Sequence, residues 1–404
     1  MVQGIIIWLL TLLLSYILIG FVEQRFSGVD RKFTLTLFFF HSGLALCYYL
    51  YALYNPSDSL GYFRGATLMN KGENWFDYFG ISTQFIEFIS FFLVNKLGFT
   101  YEACMATFSW FGYMGFLFFY IFFKERIKAT PTVFGFDGIK LIFLLPNLHF
   151  WSSSLGKGSI IFFGFGLFFF ALLRPGVRLW AFLLGGWIIF QIRPHIFYVV
   201  LIAIALGYTF STKGVGILSR ILVLGLASFL LFYIYEDILT LTGLESESIA
   251  DPLISHRASE LSKATSGIDI TNYSIPEKLF AFCFRPLFFD APGVLGFIVS
   301  FENLFYLVFF LNLLRPRAMA YLFTSDAIVK TCFLTFCGVA FALSQISGNL
   351  GLAMRQKSQV MILMMFVILK FFDEQKIVQL KRSAWKKKKL MTVTKSMHTV
   401  TLNS

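Results

Sequence analysis

Five short stretches place ionisable side chains at the edges of very apolar segments. They are Asn55-Pro-Ser-Asp-Ser-Leu-Gly-Tyr-Phe-Arg64, Pro146-Asn-Leu-His-Phe-Trp-Ser-Ser-Ser-Leu-Gly-Lys157, Gln191-Ile-Arg-Pro-His195, Phe284-Arg-Pro-Leu-Phe-Phe-Asp290 and Asn349-Leu-Gly-Leu-Ala-Met-Arg-Gln-Lys357. Two chemistries are available to them. Arg355 presents a planar guanidinium fork suited to a diphosphate, and Arg64, Lys157, Arg193, Arg285 and Lys357 are further cations that could hold an anion. Asp58, His149, His195 and Glu302 are the groups that could take a proton from an attacking hydroxyl. Asp58, Tyr62 and Arg64 follow one another at roughly helical spacing and could share a face.

Each residue also has a structural reading. Asp58 could simply cap a helix and pair with Arg64, Arg193 could snorkel to headgroups, and His149 or His195 could satisfy a helix end. Glu302, inside an apolar run, could pair with a cation for purely structural reasons. Lys157 opens a helix whose amino-terminal N–H groups favour a phosphate, but the stretch lacks the G-x-x-x-x-G-K-[ST] pattern of a nucleotide-binding loop. No His, Cys, Asp or Glu group has metal-ligand spacing, so no metal and no cofactor are expected. The five cysteines read as small buried hydrophobes.

These groups need an apolar scaffold to position them. The 404 residues are 57% hydrophobic and 14% charged, which excludes an ordinary soluble domain. Apolar runs of helical length, rather than alternating strands, predict an all-α polytopic transmembrane bundle. Spans are expected near 4–22, 33–54, 104–123, 136–150, 158–173, 178–193, 195–211, 219–241, 293–313, 331–347 and 358–373. Residues 81–97 are short and carry Gln84, Glu87, Asn95 and Lys96, and read as a re-entrant or interfacial helix.

The basic tail (Lys381, Arg382, Lys386 to Lys389) should be cytoplasmic, which sets eleven spans with the amino terminus outside and the carboxyl terminus inside. Residues 1–380 form a single membrane domain with larger extracytoplasmic loops at about 55–80 and 242–292, followed by a basic, disordered tail over 381–404. The first run follows only Met-Val-Gln and reads as a retained span. On this topology Arg193, His195, Arg285, Arg355 and Lys357 are cations on the face where cations are scarce.

The order of Asn-Pro-Ser-Asp…Tyr, Phe-Trp-Ser-Ser-Ser-Leu-Gly-Lys, Ile-Arg-Pro-His, Phe-Arg-Pro and Asn-Leu-Gly-Leu-Ala-Met-Arg-Gln-Lys resembles bacterial exopolysaccharide and O-antigen polymerases (Wzy- and EpsG-type), members of the broad class C glycosyltransferase group. The resemblance implies a polysaccharide polymerase of the bacterial cytoplasmic membrane, with undecaprenyl-diphosphate-linked oligosaccharides as substrate. It implies diphosphate contacts from Arg193, Arg285 and Arg355, with no nucleotide sugar and no nucleic-acid partner. Membrane lipids and other polysaccharide-assembly proteins would be its neighbours. One position departs from the pattern: Gly158 follows Lys157 where an acidic residue is expected. Other readings compete, among them a structural or assembly subunit, which would tolerate replacement of Arg193 and Arg355, and two with a lipid-linked substrate. One is a class C enzyme using a polyprenyl-monophosphate sugar, the other a transporter or flippase of lipid-linked oligosaccharide.

Overall fold

In the computed structural model, which describes residues 1–69, 74–211, 216–233, 270, 273–345 and 347–401, the apolar runs are helical and the only described strands form one small hairpin. Helix α1 (Val2–Arg25) leads into α2 (Arg31–Tyr54), whose start is capped by Asp30 accepting from the Phe33 amide. Helix α3 (Asp58–Leu68) follows, then a 3₁₀ turn (Trp75–Tyr78) and α4 (Thr83–Phe91), prolonged by a π-helical turn (Phe92–Lys96). After α5 (Tyr101–Arg126) a hairpin pairs Thr132–Val133 with Phe136–Asp137. Helices α6 (Gly138–Phe143), α7 (Pro146–Ser152), α8 (Lys157–Leu172), α9 (Leu179–Ile192), α10 (Pro194–Thr209) and α11 (Ile217–Tyr233) come next. The rest comprises α12 (Ile275–Phe284), α13 (Gly293–Leu311), α14 (Pro316–Thr324), α15 (Ala327–Ser344) and the long α16 (Leu350–Thr401).

Among the described residues five helices, α1, α2, α5, α13 and α15, are long and apolar enough to cross a membrane. The bent pair α7 and α8, which meet at 112°, would make a sixth. Helices α9 and α10, with 14 and 16 residues, fall short of the ~17–25 that a straight crossing uses.

Three expectations are corrected. The single span over 136–150 is two short helices, because Pro146 has no N–H for α6 to continue its hydrogen bonding. The chain still runs the length of the bundle there, from Lys140 paired with Asp30 to Lys157 beside Ser82. The loop over 242–292 contains α12, whose Ala281–Phe284 end is buried against α15 and α16; residues 242–269 and 271–272 lie outside the described residues. The tail over 381–404, expected to be disordered, is helical through Thr401. Its Lys, Ala, Leu and Met residues favour helix, and no Gly or Pro interrupts the chain beyond Gly351. Part of the expected span at 219–241 also lies outside the described residues.

The core forms where helices touch without intervening side chains. Gly115 of α5 faces Gly166 of α8, and a Cβ on Gly166 would lie 2.4 Å from the Gly115 carbonyl oxygen. Small residues at such a crossing let the backbones approach, as in membrane bundles generally. Helix α16 runs through the centre: every residue from Val360 to Leu369 is fully buried, as expected for a helix that is apolar all round.

Candidate functional site

A chain of hydroxyls fixes the start of α3. Tyr48 Oη lies 3.0 Å from Ser57 Oγ, Ser57 Oγ 2.8 Å from Ser59 Oγ, and Ser59 Oγ 2.7 Å from Tyr101 Oη. Asp58 therefore occupies the first turn of α3, where the helix dipole favours a carboxylate. Its Oδ2 accepts from Nη1 of Arg355, early in α16. One turn later Tyr62 stands over Gly156, whose added Cβ would lie 3.5 Å from the ring, with its phenol near Thr83. Burial pushes this phenol above its ordinary value.

Lys157, the first residue of α8, donates to Ser82 Oγ at 2.9 Å. Ser82 is itself held in a positive-φ conformation (φ 60°) that non-glycine residues seldom adopt, with its amide donating to the Gln191 carbonyl at 2.6 Å. That bond ties α4 to the end of α9, where Arg193 breaks the chain before Pro194. Arg193 is only 7% exposed, and its Nη1 is buried without a hydrogen-bond partner. Arg193 and Arg355 act electrostatically on one another and on Lys157, while Asp58 and Glu87 lie within reach as counter-charges. Three cations thus converge with one well-placed carboxylate, and one buried guanidinium nitrogen is unsatisfied.

The structure brings Asp58, Lys157, Arg193 and Arg355 together and sends Arg64, Arg285, Lys357, Glu302 and His149 elsewhere. Arg64 is exposed and does not share the Asp58 face: at about 100° per residue, four positions return to the same side whereas six do not. Lys357 is two residues past Arg355, on the far side of α16. There it is fully buried and donates to the Arg285 carbonyl at 2.7 Å. The Arg285 side chain pairs with Asp290 and donates to Tyr273 Oη at 3.1 Å. Glu302 accepts from the Asn147 amide at 2.8 Å and from Tyr306, rather than from an arginine.

His149 is also displaced from the expected role. It is fully buried, stacked on Phe116 with ring centroids 3.8 Å apart, and its Nδ1 lies 2.9 Å from Nδ1 of His41. The Nε2 atoms of the two rings face the carbonyls of Phe143 and Ser109, at 2.7 and 3.0 Å. Both Nε2 atoms must therefore carry protons, and the Nδ1 contact is a hydrogen bond only when the pair shares a third. His195 sits half-buried in the first turn of α10. No group of three or more His, Cys, Asp or Glu among the described residues could hold a metal ion.

Tyr62, Ser82, Thr83 and Glu87 belong to the cluster but were not singled out as site residues from sequence. Glu87 carried a usable signal, an ionisable residue within an apolar segment. Ser82 and Thr83 carried none, since their place depends on α4 docking against α9. No protein-family model matches the chain, and neither does any curated protein or solved structure.

Proposed function

We propose that this chain is a membrane glycosyltransferase of the polysaccharide-polymerase type, joining undecaprenyl-diphosphate-linked oligosaccharide units at the outer face of the bacterial cytoplasmic membrane. The observation that supports the reading most directly is Arg193 Nη1, buried and unpartnered among Lys157 and Arg355. An unsatisfied buried charge is costly, and a bound anion with several acceptor oxygens would relieve it. The reading takes the eleven-span topology with the Asp58 end of the bundle outside.

In the proposed reaction the acceptor hydroxyl oxygen forms a bond to the anomeric carbon of the donor sugar. The bond from that carbon to the diphosphate oxygen breaks, and its electron pair leaves with the diphosphate. Negative charge on the leaving group grows along this path, so fixed donors at Arg193, Lys157 and Arg355 stabilise the transition state more than the ground state. The hydroxyl proton passes to Asp58. Arg355 couples the two roles: engaging the diphosphate draws its guanidinium from Asp58 and leaves that carboxylate free to act as base. Arg285, Lys357 and Glu302 fall outside the reacting group and serve as its scaffold.

The test is glycan length in a strain lacking the gene, complemented with wild type or with Arg193→Ala plus Arg355→Ala at equal membrane abundance. Lipid-linked single repeats in the strain, extended only by wild type, are the expected result. Unchanged glycan in the deletion strain would remove the polymerase reading and favour a transporter of lipid-linked oligosaccharide.

A further inference from the structure

At the other end of α5 and α8 lies a second cation-rich region. Helix α5 runs from Tyr101, bonded to Ser59 beside Asp58, to Arg126; its 26 residues measure about 39 Å at 1.5 Å per residue. Helix α8 runs from Lys157 to Leu172, two residues before Arg174. Where these far ends meet the end of α1 there is a cavity of ≈ 790 Å³, lined by Arg25, Lys124, Lys128, Arg174, Arg178 and Glu125 among others.

Its interior is organised by one clamp. Arg178 donates from both Nη atoms to the Glu125 carboxylate at 2.8 Å and to the Phe170 carbonyl at 2.7 Å, and it stacks on the Phe170 ring at 3.9 Å. Glu125, the only carboxylate among the described lining residues, is thereby neutralised. Arg174 lies 3.6 Å from the same carboxylate and remains mostly exposed. Arg25, Lys124 and Lys128 have no carboxylate partner among the described residues. Five cations and one satisfied acid around a cavity of this size leave a positive potential that no other carboxylate among the described lining residues balances.

We propose that this cavity binds a phosphate-bearing anion, held by Lys124, Lys128, Arg25 and Arg174 and walled by the Arg178–Glu125 clamp. Two sources share that chemistry: the headgroup of an anionic phospholipid in the leaflet at this end, and a soluble phosphate compound. Basic pockets between helices at a membrane surface suit the first, because the surface potential concentrates cations and anionic headgroups in the same layer. The site is independent of the reaction proposed above, and its test reads binding rather than glycan synthesis.

The full-length protein would be purified into nanodiscs of phosphatidylcholine alone or with added phosphatidylglycerol, and separately titrated with inorganic phosphate against matched chloride. Thermal unfolding would be followed for wild type, for Lys124→Gln plus Lys128→Gln, and for Lys124→Arg plus Lys128→Arg. Each cation near a headgroup contributes roughly fivefold, so the Gln pair should weaken the anion's binding by about 25-fold while the Arg pair retains it. Because the Asp58 cluster is intact in all three proteins, phosphate bound there cancels in the comparison. Stabilisation by phosphatidylglycerol alone assigns the headgroup; stabilisation by inorganic phosphate in phosphatidylcholine assigns a soluble ligand. Equal shifts in wild type and in the Gln pair for both probes would overturn the proposal.

Discussion

Two cation–carboxylate groups flank the start of α16, and they differ in whether the protein completes them. On one side, Lys357 donates to the Arg285 carbonyl, Arg285 pairs with Asp290, and Glu302 accepts from Asn147 and Tyr306. On the other, Arg355 pairs with a carboxylate that is 57% exposed, Lys157 meets one serine hydroxyl, and Arg193 keeps an unpaired buried nitrogen. Residues two apart on one helix point about 200° from each other, so a single turn of α16 supplies both. The first group spends its polar atoms on joining α7, α12, α13 and α16. The second leaves donors over, which is what a site for an outside anion requires.

The comparison breaks most sharply at Arg193. In the proposed enzyme, Arg193→Ala should lower the turnover of lipid-linked donor by about 10²–10³, the cost of losing one preorganised donor to a developing anion. The same change removes a buried, incompletely paired charge, so the unfolding temperature of the purified protein should hold or rise. Turnover assays beside thermal unfolding check both halves. Full activity in Arg193→Ala would place the anion elsewhere, and lost folding would make Arg193 part of the scaffold.

The Glu302 group should respond in the opposite sense. Replacing Glu302 with Ala strands the Asn147 amide and the Tyr306 hydroxyl in the interior. At about 1–3 kcal/mol for each buried polar group left unpaired, the loss of stability should be about 2–6 kcal/mol. Glu302→Gln keeps an acceptor for either donor and should recover most of that loss, with turnover near wild type. Denaturant or thermal unfolding of the three proteins decides it. A Gln variant that is stable but inactive would turn Glu302 from a structural acceptor into a participant in proton transfer.

The sequence disclosed the class of fold and half of this contrast. Apolar runs located most of the helices because burial in lipid or in a helical core imposes the same composition. Arg193, Arg355, Lys157 and Asp58 stood out because charge at the edge of an apolar run is costly wherever the run packs. The division between Arg355 and Lys357 also follows from helical periodicity, once the helix is known to begin before Arg355. What stayed hidden was long-range. Nothing local to His149 announces that α7 turns inward to meet His41 and Phe116. Nothing near Ser82 announces its bonds to Lys157 and Gln191. Pro146 signalled a helix boundary, but its effect, a broken passage through the bundle, depended on what lies beside it.

Tyr62 offers the smallest effect and separates a bonded member of the site from one that only fills space over Gly156. Its phenol reaches Thr83 and lies within the field of Asp58 and Arg355. If the hydroxyl hydrogen-bonds within the loaded site, losing it by Tyr62→Phe should lower turnover by about threefold to tenfold, with packing over Gly156 preserved. The pH dependence has a definite sign. Burial raises the phenol's proton affinity, so the hydroxyl remains protonated, and able to donate, at pH values where free tyrosine begins to ionise. The ratio of wild-type to Tyr62→Phe turnover should therefore stay constant up to the ordinary tyrosine value of 10.0 and decline only above it. A ratio that falls earlier would mean that the cations around Arg193 promote ionisation of the phenol, and the hydroxyl would then be a second candidate for the base beside Asp58. A ratio of one throughout would reduce Tyr62 to a wall of the cluster and leave Asp58 and the three cations to carry the chemistry alone.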